Sequence, residues 1–181
     1  LTVTRTRPGL VFQREAGPEI RDYFLGALAP RPLLRLLDGK VPLLPWPAGI
    51  LTQTIHADDL AAAMWQAIAR RVGGAFNIAA EPVLGPDVMG FVLGARRWLP
   101  VPVGLLRAAV AVSYHLRLQP TDPGWVDMAV VTPVMSTAKA RSELDWEPRR
   151  SSVETLAELV GAIHGRGGLG NAGHRPHSPA V

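Results

Sequence analysis

The chain has no cysteine among its 181 residues and only two lysines, Lys40 and Lys139. The lack of cysteine excludes a disulfide framework and any thiolate metal site, and it is consistent with a reducing compartment. The net charge of +4 is small, and no basic cluster is interleaved with aromatic residues. A nucleic-acid partner is therefore not expected.

Long apolar runs are also missing. The most apolar stretch, LLRAAVAVSYHL at residues 105–116, is too short to cross a bilayer and contains Arg107 and His115. It predicts a buried helix, and contact of residues 99–116 with a membrane is the weaker alternative. No signal peptide pattern is visible, so a cytoplasmic location is expected.

What the chain does contain is apolar sequence in helical and extended patterns, enough for one domain. LTVTRTRPGLVF alternates apolar and polar residues, which predicts a strand that a sharp turn at Pro8-Gly9 ends. TIHADDLAAAMWQAIARRVGG predicts a helix with Asp58 as its N-cap, and AFNIAA then predicts a buried strand. This alternation favours an α/β fold.

The remaining elements are predicted from proline, glycine and capping signals. Ser151 and Glu154 form a capping box that begins the last helix. PLLPWPAG predicts a loop because of its three prolines, and VDMAVVTPVMS predicts a short strand. Further helices are expected at residues 23–28, 33–37, 86–98, 104–118 and 137–144.

GRGGLG, at residues 165–170, has the glycine spacing G-x-G-x-x-G. A dinucleotide-binding loop of this kind must follow a strand and begin a helix, so that the helix N-terminus meets the pyrophosphate. Here the glycines follow a helix, and NAGHRPHSPAV after them cannot form one. Residues 165–181 are therefore expected to be a disordered tail without a metal site.

Three ordered segments resemble the C-terminal half of the extended short-chain dehydrogenase/reductase family, the NAD(P)-dependent epimerases and dehydratases. TRTRPGLVF is similar to a strand that ends in R-P-x-x-V-[YF]. LLRLLDGKVPLLPWPAGILTQTIHADDLAAAM is similar to a helix that ends in a glycine turn, an irregular stretch, and then a strand and helix written [FY]-[IV]-H-V-x-D-[LV]-A. STAKARSELDWEPRRSSVETLAELV is similar to D-x-x-K-A-x-x-x-L-G-W-x-P followed by a terminal helix.

The chain departs from this family in ways that affect chemistry. The family's glycine-rich loop and its catalytic Tyr-x-x-x-Lys would lie upstream, and neither Tyr23 nor Tyr114 has a lysine four positions later. No catalytic residue is therefore assigned to this chain. Gln13 stands where a glycine often closes the first motif, and Asp145 replaces the glycine of L-G-W, which is expected to have little chemical meaning.

The resemblance implies the C-terminal part of a Rossmann-like, doubly wound parallel sheet with a small, mainly helical substrate-binding cap. Residues 1–164 would form this half-domain, with the substrate side at residues 13–50 and 80–125. Two or three parallel strands would be retained, and their exposed edge would make the isolated piece poorly stable or able to form a homodimer.

The resemblance also implies cofactor and substrate contacts. Pro8, Gly9, Leu10 and Val11 would abut the nicotinamide ring of NAD or NADP; the alternative is a simple turn. Gln53 would reach a sugar-nucleotide diphosphate, the alternative being a polar residue on an exposed strand.

His56 would lie at the substrate side, with a structural hydrogen-bonding role favoured over catalysis, and Asp59 would stabilise the helix start. The aromatic candidates for the pocket wall are Trp98, Tyr114 and Trp125. Arg96 and Arg97 would face an anionic substrate or lie on a solvated helix surface.

The function that these expectations favour is the substrate-side portion of an NAD(P)-dependent epimerase/dehydratase-like oxidoreductase. Its small-molecule substrate would be a sugar nucleotide or another hydroxyl or keto compound, and the chain would be inactive without the N-terminal half. The alternative is a non-catalytic nucleotide- or protein-binding module of the same fold.

Overall fold

Parallel strands and helices alternate through residues 2–24 and 43–163, which the computed structural model describes. The strands are β1 Thr4–Pro8, β2 Leu10–Phe12, β3 Leu43–Trp46, β4 Thr54–His56, β5 Gly74–Ile78 and β6 Arg97–Pro100. The helices are α1 Gly17–Phe24, α2 Ala57–Ala69, α3 Pro86–Val92, α4 Val103–His115, α5 Gly124–Val131, α6 Ala138–Leu144 and α7 Ser152–Ile163. The predicted α/β class is confirmed.

The strands pair two by two, and every pair is parallel. β1 pairs with β5, β2 pairs with β4, and β3 pairs with β6. Parallel neighbours need a long connection between them, and α2 lies in the connection between β1 and its partner β5. The sheets are thus built from pairings between segments that are far apart in the sequence.

β1 and β2 are separated by Gly9 alone, and the chain bends and changes partner strand there. Pro8 is the last residue opposite β5, and Leu10 is the first opposite β4. The prediction that Pro8-Gly9 ends the first strand is confirmed, and a second strand begins directly after the bend. The motif marks a change of partner strand.

The apolar core lies between β4, β5, α2 and α6. Its buried members are Ile55, Ala63, Ala67, Phe76, Ile78, Ala80, Ala140, Leu144 and Trp146. Alanines on the inner face of α2 let this helix approach the sheet closely, while the aromatic and branched residues fill the space between the elements. This core keeps the ends of β4 and β5 at a fixed separation.

PLLPWPAG was expected to be a loop, but four of its residues form β3. Pro45 lies opposite Leu99 in the parallel pair with β6. A two-stranded sheet has only edge strands, which are the places where proline is tolerated. Proline therefore did not exclude a strand here.

The helix expected at residues 86–98 is shorter, and its second half is a strand. α3 ends at Val92, and Gly94 follows with a φ of +67°. This left-handed glycine ends the helix, with the Ala95 amide bonded to the Gly90 carbonyl at 2.8 Å. The chain then enters β6, so Arg97 lies on a strand and not on a helix surface.

The strand expected in VDMAVVTPVMS is instead part of helix α5. Asp122 begins this helix, because its carboxylate accepts the Gly124 amide at 2.7 Å and its carbonyl accepts the Trp125 amide at 3.1 Å. Arg107 of α4 then donates to Asp127 at 2.8 Å, which raises the pKa of Arg107. The capping and the interhelical ion pair outweigh the strand preference of the valines.

Other sequence predictions differ mainly in their limits. The helix expected at residues 104–118 is α4, and that at 137–144 is α6. The helix expected at 23–28 begins earlier, as α1. The helix expected at 33–37 and the disordered tail expected at 165–181 lie outside the described residues. No described helix has the length and apolar character needed to cross a membrane.

Substitution of Gly9 tests the change of partner strand. A Cβ atom added to Gly9 would lie 2.6 Å from the Gln53 carbonyl oxygen, a backbone atom that cannot move aside. We expect Gly9→Ala to lower the free energy of unfolding by about 1–3 kcal/mol in urea titrations. Gly161→Ala is the control: no atom lies within 4 Å of that added Cβ, and stability should stay equal or rise. Equal effects of both substitutions would refute the steric argument.

The predicted capping box at α7 is confirmed. The Ser151 hydroxyl accepts the Glu154 amide at 3.2 Å, and the Glu154 carboxylate accepts the Ser151 amide at 2.8 Å. This backbone hydrogen bond lowers the pKa of Glu154 below its ordinary value of 4.5. A carboxylate with a lowered folded pKa stabilises the fold above its unfolded pKa and loses that effect as the pH falls.

Glu154→Gln should therefore lower stability at neutral pH, and the difference from the unaltered chain should vanish as the pH falls below 4.5. Urea denaturation over a range of pH measures this difference. Glu147→Gln is the control, because Glu147 is exposed and no ion pair within the described residues holds it. A pH-independent difference for Glu154→Gln would contradict the assignment.

Candidate functional site

The candidate site lies where β1 passes into β2. The Gly9 amide donates to the Ile78 carbonyl of β5 at 2.9 Å, and the Leu10 amide donates to the Gln53 carbonyl at 2.8 Å. The carboxyl end of β1 therefore meets the ends of two neighbouring segments. In open parallel sheets, ligands bind in the crevice outside the carboxyl ends of the strands.

Leu10 and Val11 give this place an apolar surface. Their side chains are 43% and 39% exposed, although both lie in a hydrogen-bonded strand. The amides of Gly9 and Leu10 are already used within the protein, and Pro8 has no amide hydrogen. Leu10 and Val11 are consecutive in β2, so their side chains point to opposite faces, and each can offer a ligand one exposed apolar side chain.

Gln53 is buried, and its side-chain amide makes two hydrogen bonds to the backbone of Met135, as a residue of a neighbouring strand would. Its Nε2 donates to the Met135 carbonyl at 3.1 Å, and the Met135 amide donates to its Oε1 at 2.7 Å. Gln53 is thus not a residue on an exposed strand. The pair of hydrogen bonds attaches the segment before α6 to the chain just ahead of β4, and contact of Gln53 with a substrate stays a prediction.

His56 is buried at the junction of β4 and α2. Its Nδ1 accepts the Asp58 amide at 3.1 Å, so His56 is the N-cap of α2 and the prediction of Asp58 as the cap is wrong. A ring nitrogen two residues before the amide fills the role that a short oxygen-bearing side chain usually fills.

Arg150 joins this junction to the end of the chain. Its Nη1 lies 2.7 Å from His56 Nε2 and 3.0 Å from Asp58 Oδ2, and it also contacts His56 Nδ1. Glu158 of α7 lies 3.6 Å from His56 Nε2. The contacts of His56 are those of a structural residue, and its contact with substrate stays a prediction.

Asp59 completes the attachment from inside the protein. Its carboxylate accepts the Arg150 amide at 3.0 Å, and its carbonyl accepts the Trp146 indole at 3.0 Å. Asp59 is almost fully buried. Its role therefore extends beyond the expected stabilisation of the helix start, because it binds the segment DWEPRR to the first turn of α2.

Asp145 has two structural roles that the sequence did not predict. It ends α6 with a φ of +51°, the left-handed conformation that glycine adopts without strain. Its carboxylate accepts from Arg70 at 2.7 Å. The backbone at this position thus has the left-handed conformation that favours glycine, and the aspartate side chain forms an ion pair with Arg70.

The three aromatic residues expected to form a pocket wall lie apart from one another. Trp98 donates to Asp87 at 2.7 Å, and Tyr114 contacts the ring of His115. Trp125 packs edge-to-face against Phe24 and Tyr23 of α1, with ring centroids 5.4 and 6.1 Å apart. Within the described residues no ring contact joins these three side chains to one another, and a common wall stays a prediction.

Buried polar residues at positions 119 and 121 connect the two parts of the predicted substrate side. The Thr121 hydroxyl donates to the Tyr23 carbonyl at 2.9 Å. The Gln119 amide group donates to the Thr121 carbonyl at 2.9 Å and contacts Ser113 and Val110. Sequence reasoning missed both, although a glutamine and a threonine beside Pro120 were a signal for a specific turn.

No metal-type cluster and no tyrosine–lysine pair is found in the described residues. No group of three histidine, aspartate or glutamate side chains there could hold a metal ion. Lys139, the single lysine of those residues, lies over the Phe76 ring at 4.7 Å and near Glu143, so it does not pair with a tyrosine.

The fold is similar to that of several solved structures. One is RMD from Pseudomonas aeruginosa complexed with NADPH, with a TM-score of 0.52, 14% identity, and coverage of 91% of this chain and 48% of that chain. A second is a human epimerase family protein with NADPH, with a TM-score of 0.53, 18% identity, and coverage of 90% of this chain and 48% of that chain. A third is UDP-glucose 4-epimerase from Thermotoga maritima with UDP-glucose, with a TM-score of 0.51, 18% identity, and coverage of 92% of this chain and 47% of that chain.

The chain therefore has the Rossmann-like α/β fold of NAD(P)-dependent epimerase and dehydratase structures. It spans about half the length of the structures that it matches. No protein-family model and no curated protein matches the sequence. The likeness is one of three-dimensional structure at low identity.

Substitution of Gln53 tests its structural contacts. Gln53→Ala would leave the Met135 amide and carbonyl without partners, at a cost of about 1–3 kcal/mol of stability. We expect this loss in urea titrations, together with faster hydrogen exchange at the Met135 amide. Gln66→Ala is the control, because it also removes a glutamine side chain, and no described residue bonds to the side chain of Gln66 on α2. This variant should have little effect. Unchanged exchange at Met135 would refute the assignment.

Proposed function

We propose that this chain forms the C-terminal, substrate-side half of an NAD(P)-dependent oxidoreductase of the epimerase/dehydratase type. The observation that carries the proposal is the parallel arrangement at Gly9, where β1 ends against β5 and β2 begins against β4. The ends of parallel strands meet there in a fold shared with structures that contain NADPH. The expected substrate is a sugar nucleotide or another hydroxyl or keto compound.

Pro8, Gly9, Leu10 and Val11 would contact the nicotinamide end of the cofactor. Leu10 and Val11 expose apolar side chains on opposite sides of β2, and one of these side chains would contact the face of the ring. The backbone of this segment is fixed by bonds to Ile78 and Gln53. The cofactor, when bound, accepts or donates a hydride. These residues would hold the ring in place and exclude water from one of its faces.

Gln53 and His56 would act at the substrate side mainly by positioning. Gln53 fixes the segment at Met135, and His56 fixes the start of α2. The phosphate-binding loop and the tyrosine–lysine pair would be supplied by an N-terminal half. A cytoplasmic location is an expectation from the sequence. The expected cofactor is NAD or NADP.

The proposal predicts binding without turnover by the chain itself. We expect weak binding of NADH or NADPH, seen as shifts of the Gly9, Leu10 and Val11 amide signals in nitrogen-15 spectra. With NAD⁺ or NADP⁺ as the hydride acceptor and UDP-glucose as the donor, we expect no rise in absorbance at the reduced-nicotinamide band. Val11→Asp should weaken the binding at least several-fold, because a charge replaces the apolar contact.

Val3→Asp is the matched control, since Val3 is an exposed valine ahead of β1 and away from the strand ends. Measurable turnover by the chain alone, or equal loss of binding in both variants, would contradict the proposal. The coding sequence upstream of Leu1 gives an independent test. A glycine-rich loop and a Tyr-x-x-x-Lys motif are expected there, and their absence would favour the non-catalytic binding module.

A further inference from the structure

Helix α4 exposes a continuous apolar stripe. Its exposed positions include Leu105, Ala108, Ala109, Val112 and, at its C-terminal end, Leu116. Their spacing of three or four residues places them on one face of a helix. Leu105, Val112 and Leu116 are 61%, 58% and 64% exposed. We call these five residues the α4 outer stripe.

A second face of α4, next to the stripe, packs on the protein. Leu106, Val110 and Ser113 lie on that face and are half-buried, and Gln119 bonds to Val110 and Ser113 there. The helix is thus apolar on both faces, although the residues that the structure describes cover only the second one. Isolated exposed apolar residues are common, but an ordered row along a helix marks a binding surface.

The sequence of α4 and its flanks carries charge of one sign. Between Asp87 and Asp122 the chain has no acidic residue, but it has Arg96, Arg97, Arg107 and Arg117. Arg107 is paired with Asp127 of α5, whereas the other three are exposed and form no ion pair within the described residues. Arg97 lies on β6, ahead of α4 in the chain, and Arg117 directly follows Leu116 of the stripe. An apolar stripe in a segment with unpaired cations is complementary to an anionic amphipathic surface.

We propose that the α4 outer stripe docks on the surface of an anionic lipid membrane. This goes beyond the proposed enzymatic function and does not depend on it. A helix of 13 residues is about 20 Å long, too short to span the hydrocarbon layer of about 30 Å, so α4 lies in the plane of the interface. Leu105, Val112 and Leu116 enter the acyl boundary, and the arginines contact lipid phosphates.

Charge favours a lipid surface over a second copy of this chain. Two copies facing each other through the stripe would bring their unpaired arginines into the same interface, where like charges repel. Anionic lipid headgroups instead attract each arginine. A dimer through α4 is therefore an outcome of the experiment that would count against the proposal.

The test is co-sedimentation of the full 181-residue chain with vesicles of phosphatidylcholine alone and of phosphatidylcholine mixed with phosphatidylglycerol. We expect binding to the anionic vesicles that high salt weakens, and little binding to the neutral ones. Leu105→Gln with Val112→Gln should lower the partition coefficient about tenfold or more. Arg97→Gln with Arg117→Gln should lower it by about 30-fold.

Matched controls distinguish an effect of the stripe from an effect of losing any exposed apolar or arginine side chain. Ile68→Gln changes an equally exposed apolar residue on α2, and Arg5→Gln with Arg149→Gln removes two other exposed arginines. Both controls should bind as the unaltered chain does, and all variants should keep its circular dichroism. Failure of the unaltered chain to bind anionic vesicles would overturn the proposal, as would equal loss in the controls. A dimer that the stripe variant dissociates, without vesicle binding, would also overturn it.

Discussion

The close approach of Gly9 to the backbone at Gln53 is the constraint on which the described fold depends. The chain must pair with β5 before Gly9 and with β4 after it. The change is made within one residue, whose amide bonds to Ile78 while the next amide bonds to Gln53. A residue without a Cβ allows the three backbones to meet, and this meeting point fixes where two pairs of strands lie relative to each other.

A second set of contacts holds the last part of the chain against the first turn of α2. Asp59 bonds to the backbone of Arg150 and to the indole of Trp146, while His56 and Asp58 contact the guanidinium group of Arg150. These bonds join residues about 90 positions apart. They explain why the histidine and aspartates of TIHADD matter to the fold without a catalytic role. The candidate site therefore lies beside a rigid junction.

Local signals made part of this structure predictable from the sequence. The capping box of Ser151 and Glu154, the buried strand β5 and the limits of α6 depend on residues close together in the chain, and each prediction was confirmed. The α/β class followed from the same patterns. Such elements are encoded by capping, periodicity and glycine, which act over one or two turns.

Contacts between distant segments could not be predicted in this way. The bond from Gln53 to Met135, the cap at His56 and the strand at Pro45 all depend on which segments meet in space. The valines of α5 favour a strand in the sequence, whereas the hydrogen bond at Asp122 and the ion pair of Asp127 with Arg107 stabilise a helix. The apolar sequence of α4 predicted a buried helix, but only one of its two apolar faces is covered by the described part of the chain.

The link between Gln53 and Met135 has an evolutionary consequence. A ladder of backbone bonds persists through almost any change of side chain, because every residue except proline carries the same donor and acceptor. Here one glutamine supplies the donor and the acceptor that a neighbouring strand would supply. The placement of the segment at Met135 thus depends on side chains that mutation can remove, namely Gln53 and Asn77, whose amide group donates to the Ser136 carbonyl at 3.0 Å.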